Sequence, residues 1–191
     1  MRRALAILLL LPLLASPVAA APQDPRIFFA SGAELALPGG AHQRVLSMLN
    51  ITRHMSYGDF VWNEDGVPAG SAKAPIWVRI DLSRQLLSVF RGGHEIGAAV
   101  ILFGSDGKPT PLGRFSILEK DAHHVSNLYD APMPFMLRLT NDGVAIHAAN
   151  VRQGWATHGC VGLPPDFAEK LFATARRGDM VVIVSGDAKK A

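Results

Sequence analysis

The chain has 191 residues, 19 Lys and Arg against 16 Asp and Glu, seven His and one Cys, and 49% of it is hydrophobic. That length suits one domain with a sizeable core, and a single cysteine excludes an internal disulfide. A formal charge of +3 without any basic run or interleaved aromatic stripe excludes a nucleic-acid-binding role.

In chain order, Arg2 and Arg3 precede an apolar run from Ala4 to Leu14 and the small residues Val18-Ala19-Ala20-Ala21. This order of charge, apolar core and small-residue site predicts a secretory signal peptide over residues 1–20. It is too short for a membrane span, so no stable membrane insertion is expected after cleavage. The expected location is the periplasm or cell envelope. Cleavage leaves 17 basic residues against 16 acidic ones, which removes the calculated pI of 9.3 as a sign of an acidic partner.

Residues 21–74 are weakly patterned, with Pro22, Pro25, Pro38, Gly39 and Gly40 interrupting them and only Val45 to Leu49 hinting at a helical turn. They read as a lead-in to a domain over residues 75–186. There Ile76, Val78, Ile80 and Leu82 alternate with Trp77, Arg79 and Asp81 as in a half-buried strand. Leu86 to Arg91 and Glu95 to Phe103 follow, separated by the Gly92-Gly93 turn, so an antiparallel meander is predicted. A loop from Gly104 to Thr110 leads to a strand over Gly113 to Leu118, and Asp121 to Pro134 reads as a long excursion over the sheet. Phe135 to Leu139 and Val144 to Ala148 flank Asn141-Asp142-Gly143, a hairpin signal. Pro165 and Asp166 open one helix with Phe167, Ala168, Leu171, Phe172 and Ala175 on one face, Gly178 stops it, and Met180 to Val184 is a last strand. The class is mainly β with one or two packed helices.

The lone thiol, Cys160, lies in Thr157-His158-Gly159-Cys160, nine residues beyond the strand-end His147. A loop of that length folds back far enough to bring His147 beside Cys160, where the imidazole can take the thiol proton and hold the thiolate as an ion pair. Gly159 permits a tight turn whose backbone N–H groups can stabilise an oxyanion, and the Pro164-Pro165 pair puts the cysteine just before a helix. Three plainer readings compete: a buried small hydrophobe at Cys160, a metal site using His147, His158 and Cys160, and a spacer role for His158. Neither a structural-zinc spacing nor a His-Glu-x-x-His motif is present, so no metal or other cofactor is expected.

These residues resemble the L,D-transpeptidase family with the YkuD-like catalytic domain, marked by a strand-end histidine followed by Ser/Thr-His-Gly-Cys. The likeness runs from about Ile76 to Val184. It includes Asp81-Leu82-Ser83, Gln85-Leu86, Pro109-Thr110-Pro111-Leu112-Gly113 with Phe115, and Gly178-Asp179-Met180-Val181. The resemblance implies a β-sandwich-like domain acting on peptidoglycan stem peptides, in cell-wall cross-linking or protein attachment. By it, Cys160 attacks the peptide bond after the diaminopimelate of a tetrapeptide stem, and a neighbouring amine resolves the thioester. His147 is then the base and the Ala148 carbonyl orients its ring. The Gly159 and Cys160 amides contribute to the oxyanion hole, and Thr157 and His158 belong to the same turn.

The family commonly carries arginine, or sometimes asparagine, two positions after the cysteine, where this chain has Gly162. Arg114, Arg138 and Arg152 are candidates to replace it in space, with Arg138 and Thr157 taken as substrate-binding. Two alternatives stay open. One is a thiol hydrolase of the same fold, acting as a carboxypeptidase or releasing wall proteins; the other is a non-catalytic peptidoglycan-binding module.

Overall fold

The computed structural model describes residues 26–128 and 130–186. The predicted signal segment, residues 1–20, lies outside the described residues. The expected meander is present as β4 (Ile76–Asp81), β5 (Leu86–Arg91) and β6 (His94–Val100). β12 (Met180–Val184) runs parallel to β4, and β7 (Gly113–Ser116) closes that edge antiparallel to β12.

Segment 21–74 is more ordered than its sequence pattern suggests. From Arg26 it builds β1 (Arg26–Ala36), β2 (His42–Leu49) and β3 (Phe60–Trp62), all joined to the same sheet in the order β1-β2-β6-β5-β4-β12-β7, with β3 also paired to β6. The expected helical turn at Val45 to Leu49 is instead part of β2. Its inward positions are Val45, Ser47 and Leu49, a two-residue period masked by a buried serine. Ser47 Oγ lies 2.9 Å from His94 Nδ1, so the hydroxyl is satisfied inside the protein. Arg26 is similarly buried, donating to the carbonyls of Asp65 at 2.6 Å and of Glu95 and Asn63 at 2.5 Å.

The hairpin of β1 and β2 explains why β4 is buried on both faces rather than one. Ile76, Val78 and Ile80 enter the main core, while Trp77 packs with Phe90 and Val45 in a second cluster that Phe29 and Leu35 cover. The Trp77 and Phe90 rings stack at 4.3 Å and 10°.

A second sheet has the order β11-β10-β9-β8, from β8 (Glu119–Asp121), β9 (Met136–Arg138), β10 (Ala145–Ala148) and β11 (Val161–Leu163). Ile146, Leu137, Val161 and Leu163 face the main core together with Phe167 and Leu171 of α1 (Pro165–Thr174). The helix begins as expected, with Pro165 in its first turn, Asp166 at the positive end of its dipole and Phe167, Ala168 and Leu171 buried. β11 was not anticipated. It places the cysteine before a three-residue strand parallel to β10, with the helix starting only after Pro164. Mutual hydrogen bonds between Leu102 and Gly162, each 2.9 Å, stitch this strand to the segment leaving β6.

Candidate active site

Register brings the predicted residues together. On β10 and β11, His147 pairs with Gly162 and Ile146 with Val161, so Cys160 lies one step before the ladder beside Ala145. Paired residues of neighbouring strands point to the same face and alternate residues share it. Val161 and Ile146 enter the main core, whereas Cys160 packs with Ala145, Met136 and Met133 in a separate cluster on the opposite face. His147, two residues beyond Ala145, shares that face and is a diagonal neighbour of Cys160, a spacing that side chains of this length span.

The chemistry of the pair follows from its hydrogen bonds. His147 Nδ1 lies 2.8 Å from the Ala148 carbonyl oxygen. A carbonyl only accepts, so Nδ1 carries the hydrogen and the neutral ring keeps its lone pair on Nε2, where it can receive a proton. Burial pushes the His147 imidazole below its ordinary value, the Ala148 bond opposes this, and nearby His124 lowers it further. Burial also pushes the Cys160 thiol up, against a backbone hydrogen bond from Ala145 that favours the thiolate. The sulfur lies 3.8 Å from the Gly143 carbonyl, a weak acceptor for its hydrogen. Both shifts favour a neutral thiol beside a neutral imidazole. Both directions run against the resting thiolate–imidazolium pair expected from the sequence.

The turn that carries Cys160 is braced from two sides. Gly159 adopts φ +106°, a region that favours glycine. Thr157 Oγ1 donates to the Cys160 carbonyl at 2.5 Å, so the hydroxyl hydrogen is committed to the turn. The Thr157 amide donates to Phe103 O at 2.9 Å, and Ser105 donates back to Thr157 O at 3.2 Å. Gly104 lies directly against this turn: a Cβ there would come within 2.1 Å of Lys108 O and 2.9 Å of Gly159 Cα. Buried Thr110 accepts the Gly104 N–H through Oγ1 at 2.9 Å and holds the loop in place. The sequence marked the end of this loop through Pro109-Thr110-Pro111 in the family resemblance, but it did not single out Gly104, the Ala145 amide, the Gly143 carbonyl or the Met133 and Met136 wall.

The remaining predicted residues separate. His158 is exposed on the turn. Arg138 pairs across the ladder with Ala145 and therefore lies in the same row as Cys160, on the same face. Its Nη2 bonds Glu119 Oε2 at 2.6 Å, while its buried Nε has no hydrogen-bond partner among the described residues. Arg152 donates to Asn150 at 2.9 Å and lies 5.8 Å from the exposed Trp155 ring, in the loop leading to the cysteine. Arg114 sits on β7 of the other sheet against Met180.

A partly buried thiol and an imidazole of fixed tautomer, side by side on one sheet of a two-sheet scaffold, form a cysteine-histidine pair suited to acyl chemistry. The chain belongs to the YkuD family of L,D-transpeptidase catalytic domains, which matches residues 75–183. L,D-transpeptidase 1 of Mycobacterium tuberculosis is 28% identical over 120 residues, covering 54% of this chain and 48% of that protein. The chain thus spans about half the length of the curated relatives it matches. A crystal structure of an L,D-transpeptidase from Stackebrandtia nassauensis is similar at TM-score 0.56 and 28% identity, covering 63% of this chain and 60% of that one. The crystal structure of the M. tuberculosis L,D-transpeptidase 1 follows at TM-score 0.52 and 25% identity, with 59% and 62% covered.

Proposed function

We propose that this protein is a cysteine-dependent L,D-transpeptidase that acts on peptidoglycan stem peptides through a thioester. The observation that carries the reading is the His147 bond to Ala148, which leaves Nε2 as proton acceptor on the face it shares with Cys160. Cys160 Sγ attacks the carbonyl carbon of the donor peptide bond while its proton passes to His147 Nε2. The amides of Gly159 and Cys160 stabilise the resulting oxyanion. Collapse breaks the C–N bond, His147 returns the proton to the departing amine, and the acyl group remains on sulfur. An acceptor amine then attacks the thioester and gives its proton to Nε2, from which the leaving sulfur recovers it. Thr157 braces the nucleophile turn and Arg138 contributes to substrate binding. Export to the periplasm or cell envelope, as the order of residues 1–20 suggests, would bring the protein to that substrate.

Intact-protein mass after incubation with a carbapenem tests the reading, because a strained β-lactam amide is opened by the same nucleophile. One adduct per chain is expected, absent in Cys160→Ser and formed at least tenfold more slowly in His147→Ala. A folded protein that forms none supports a non-catalytic wall-binding module. Release of D-alanine from a stem tetrapeptide without incorporation of an added amine indicates a thiol hydrolase.

A further inference from the structure

We infer that a two-part cleft at the end of the main sheet away from Cys160 binds a phosphate ester, with the phosphate between Lys73 and Arg176 and the uncharged body of the ester against Trp77 and Met180. The site is independent of the acyl-transfer reading above. Two hollows meet there, of about 480 Å³ and about 600 Å³, and they share Ala74, Pro75, Ile76 and Asp179 as a common wall. Each is of a size that holds a small ligand. The wall stands where β4 begins, with Ile76 paired to Arg91 at the end of β5 and Trp77 paired to Met180 at the start of β12. Cys160 lies far from it, two residues before Gly162, which pairs with Leu102 beyond the other end of β6.

The smaller hollow has too little acid for its cations. Lys73, Arg91 and Arg176 reach it from segments far apart in the sequence, so no basic run announces them, and Asp179 is the one acid among its lining residues. One Asp179 oxygen already accepts the Arg176 backbone N–H at 2.7 Å, and Arg91 is paired with Glu64. The Lys73 ammonium and the Arg176 guanidinium are exposed and have no ion pair among the described residues. Two such cations balance a phosphate monoester, whose charge is about −1.5 to −2 at pH 7. A guanidinium fork also meets phosphate oxygens through paired N–H donors.

The larger hollow has a different character. Leu46, Pro75, Ile76, Trp77 and Met180 line it, and its one lining cation, Arg44, donates to the Ser31 carbonyl at 2.7 Å. Trp77 adds a buried indole N–H with no acceptor among the described residues, so both hollows carry donors in excess. Pro75 is exposed and Ala74 and Asp179 are half-buried, which leaves the passage over the shared wall open to a ligand that spans it.

Calorimetric titration of the purified protein with phenyl phosphate at low salt tests the assignment. One saturable site is expected, at least tenfold tighter for phenyl phosphate than for phenol. Lys73→Gln combined with Arg176→Gln should weaken it at least tenfold, whereas Arg114→Gln, which removes a cation elsewhere, should not. Leu46→Asn should weaken phenyl phosphate and leave inorganic phosphate unchanged, since only the ester reaches the apolar half. Sedimentation with phosphatidylglycerol vesicles, against phosphatidylcholine vesicles, then identifies the source. Co-sedimentation lost in the double variant assigns a lipid headgroup, and no co-sedimentation assigns a soluble ester. Absence of saturable phenyl phosphate binding, or equal affinity in a double variant that melts like wild type, overturns the inference. Carbapenem adduct formation reads the acyl-transfer proposal separately, so the failure of one leaves the other standing.

Discussion

Position 162 has no room for a side chain. A Cβ on Gly162 would lie 2.9 Å from Ala149 Cβ, 3.4 Å from Leu102 Cβ and 3.7 Å from Thr157 Cγ2, with Leu102 tied to Gly162 by two backbone hydrogen bonds. The arginine that resembling proteins commonly carry there therefore cannot simply be restored. Gly162 lets the Ala149 methyl and the Thr157 turn close on β11. Gly162→Arg should separate β11 from its neighbours, with an overpacking cost of about 1–3 kcal/mol. We expect carbapenem adduct formation to slow more than tenfold with a lower melting temperature, measured by mass and by circular dichroism. A faster or equal adduct rate would show that the pocket accommodates the arginine after all.

At the scale of the element, a lysine from another strand caps the C-terminal end of α1, whose buried face Phe167, Ala168 and Leu171 pack into the main core. Lys120 on β8 donates to Phe172 O at 2.5 Å and to Ala175 O, and its ammonium lies 4.4 Å from the centroid of the Phe172 ring. These carbonyls are the orphaned acceptors at the negative end of the helix, which has no basic residue in its own last turn. Burial lowers the Lys120 pKa, with Asp179 opposing, so the helix end is the compensation for a partly desolvated cation. Lys120→Met should cost about 1.5–3 kcal/mol, read as a lower urea midpoint with an unchanged slope. This tie was not legible in the sequence, since an alternating Glu119-Lys120-Asp121 looks like a solvated edge. Legibility elsewhere followed the same physics. β4, β5, β12 and α1 showed themselves because their periods are written in apolar residues. β2 was hidden by the buried Ser47, and β11 is too short at three residues to show a period. His147 and Cys160 were visible as a motif, but the alignment of Arg138 with Cys160 exists only in the register of β9, β10 and β11.

For the whole molecule, the decisive question is how much of the fold the family-matched segment can hold alone. The match covers residues 75–183, yet the outer face of its sheet includes Trp77 and Phe90, each under 5% exposed, and their cover comes from Val45, Phe29 and Leu35 of the preceding hairpin. Exposing two aromatic side chains of this size forfeits roughly 3–6 kcal/mol at about 1.5–3 kcal/mol each. That is a large share of the about 5–15 kcal/mol by which domains are stable. Polar groups add to the loss. Without Arg26 and the β2 segment, Glu95 would lose its hydrogen bond from the Leu49 amide, 3.0 Å away, and His94 would lose Ser47. Deleting residues 26–49 should therefore lower the melting temperature by more than 10 °C or abolish a cooperative transition. The Cys160 turn lies at the opposite end of β6, near Leu102, so under the proposed function any folded fraction should still form a carbapenem adduct. A truncated chain that melts like the full one would instead make the segment from residue 75 onward an autonomous domain with the hairpin as an accessory.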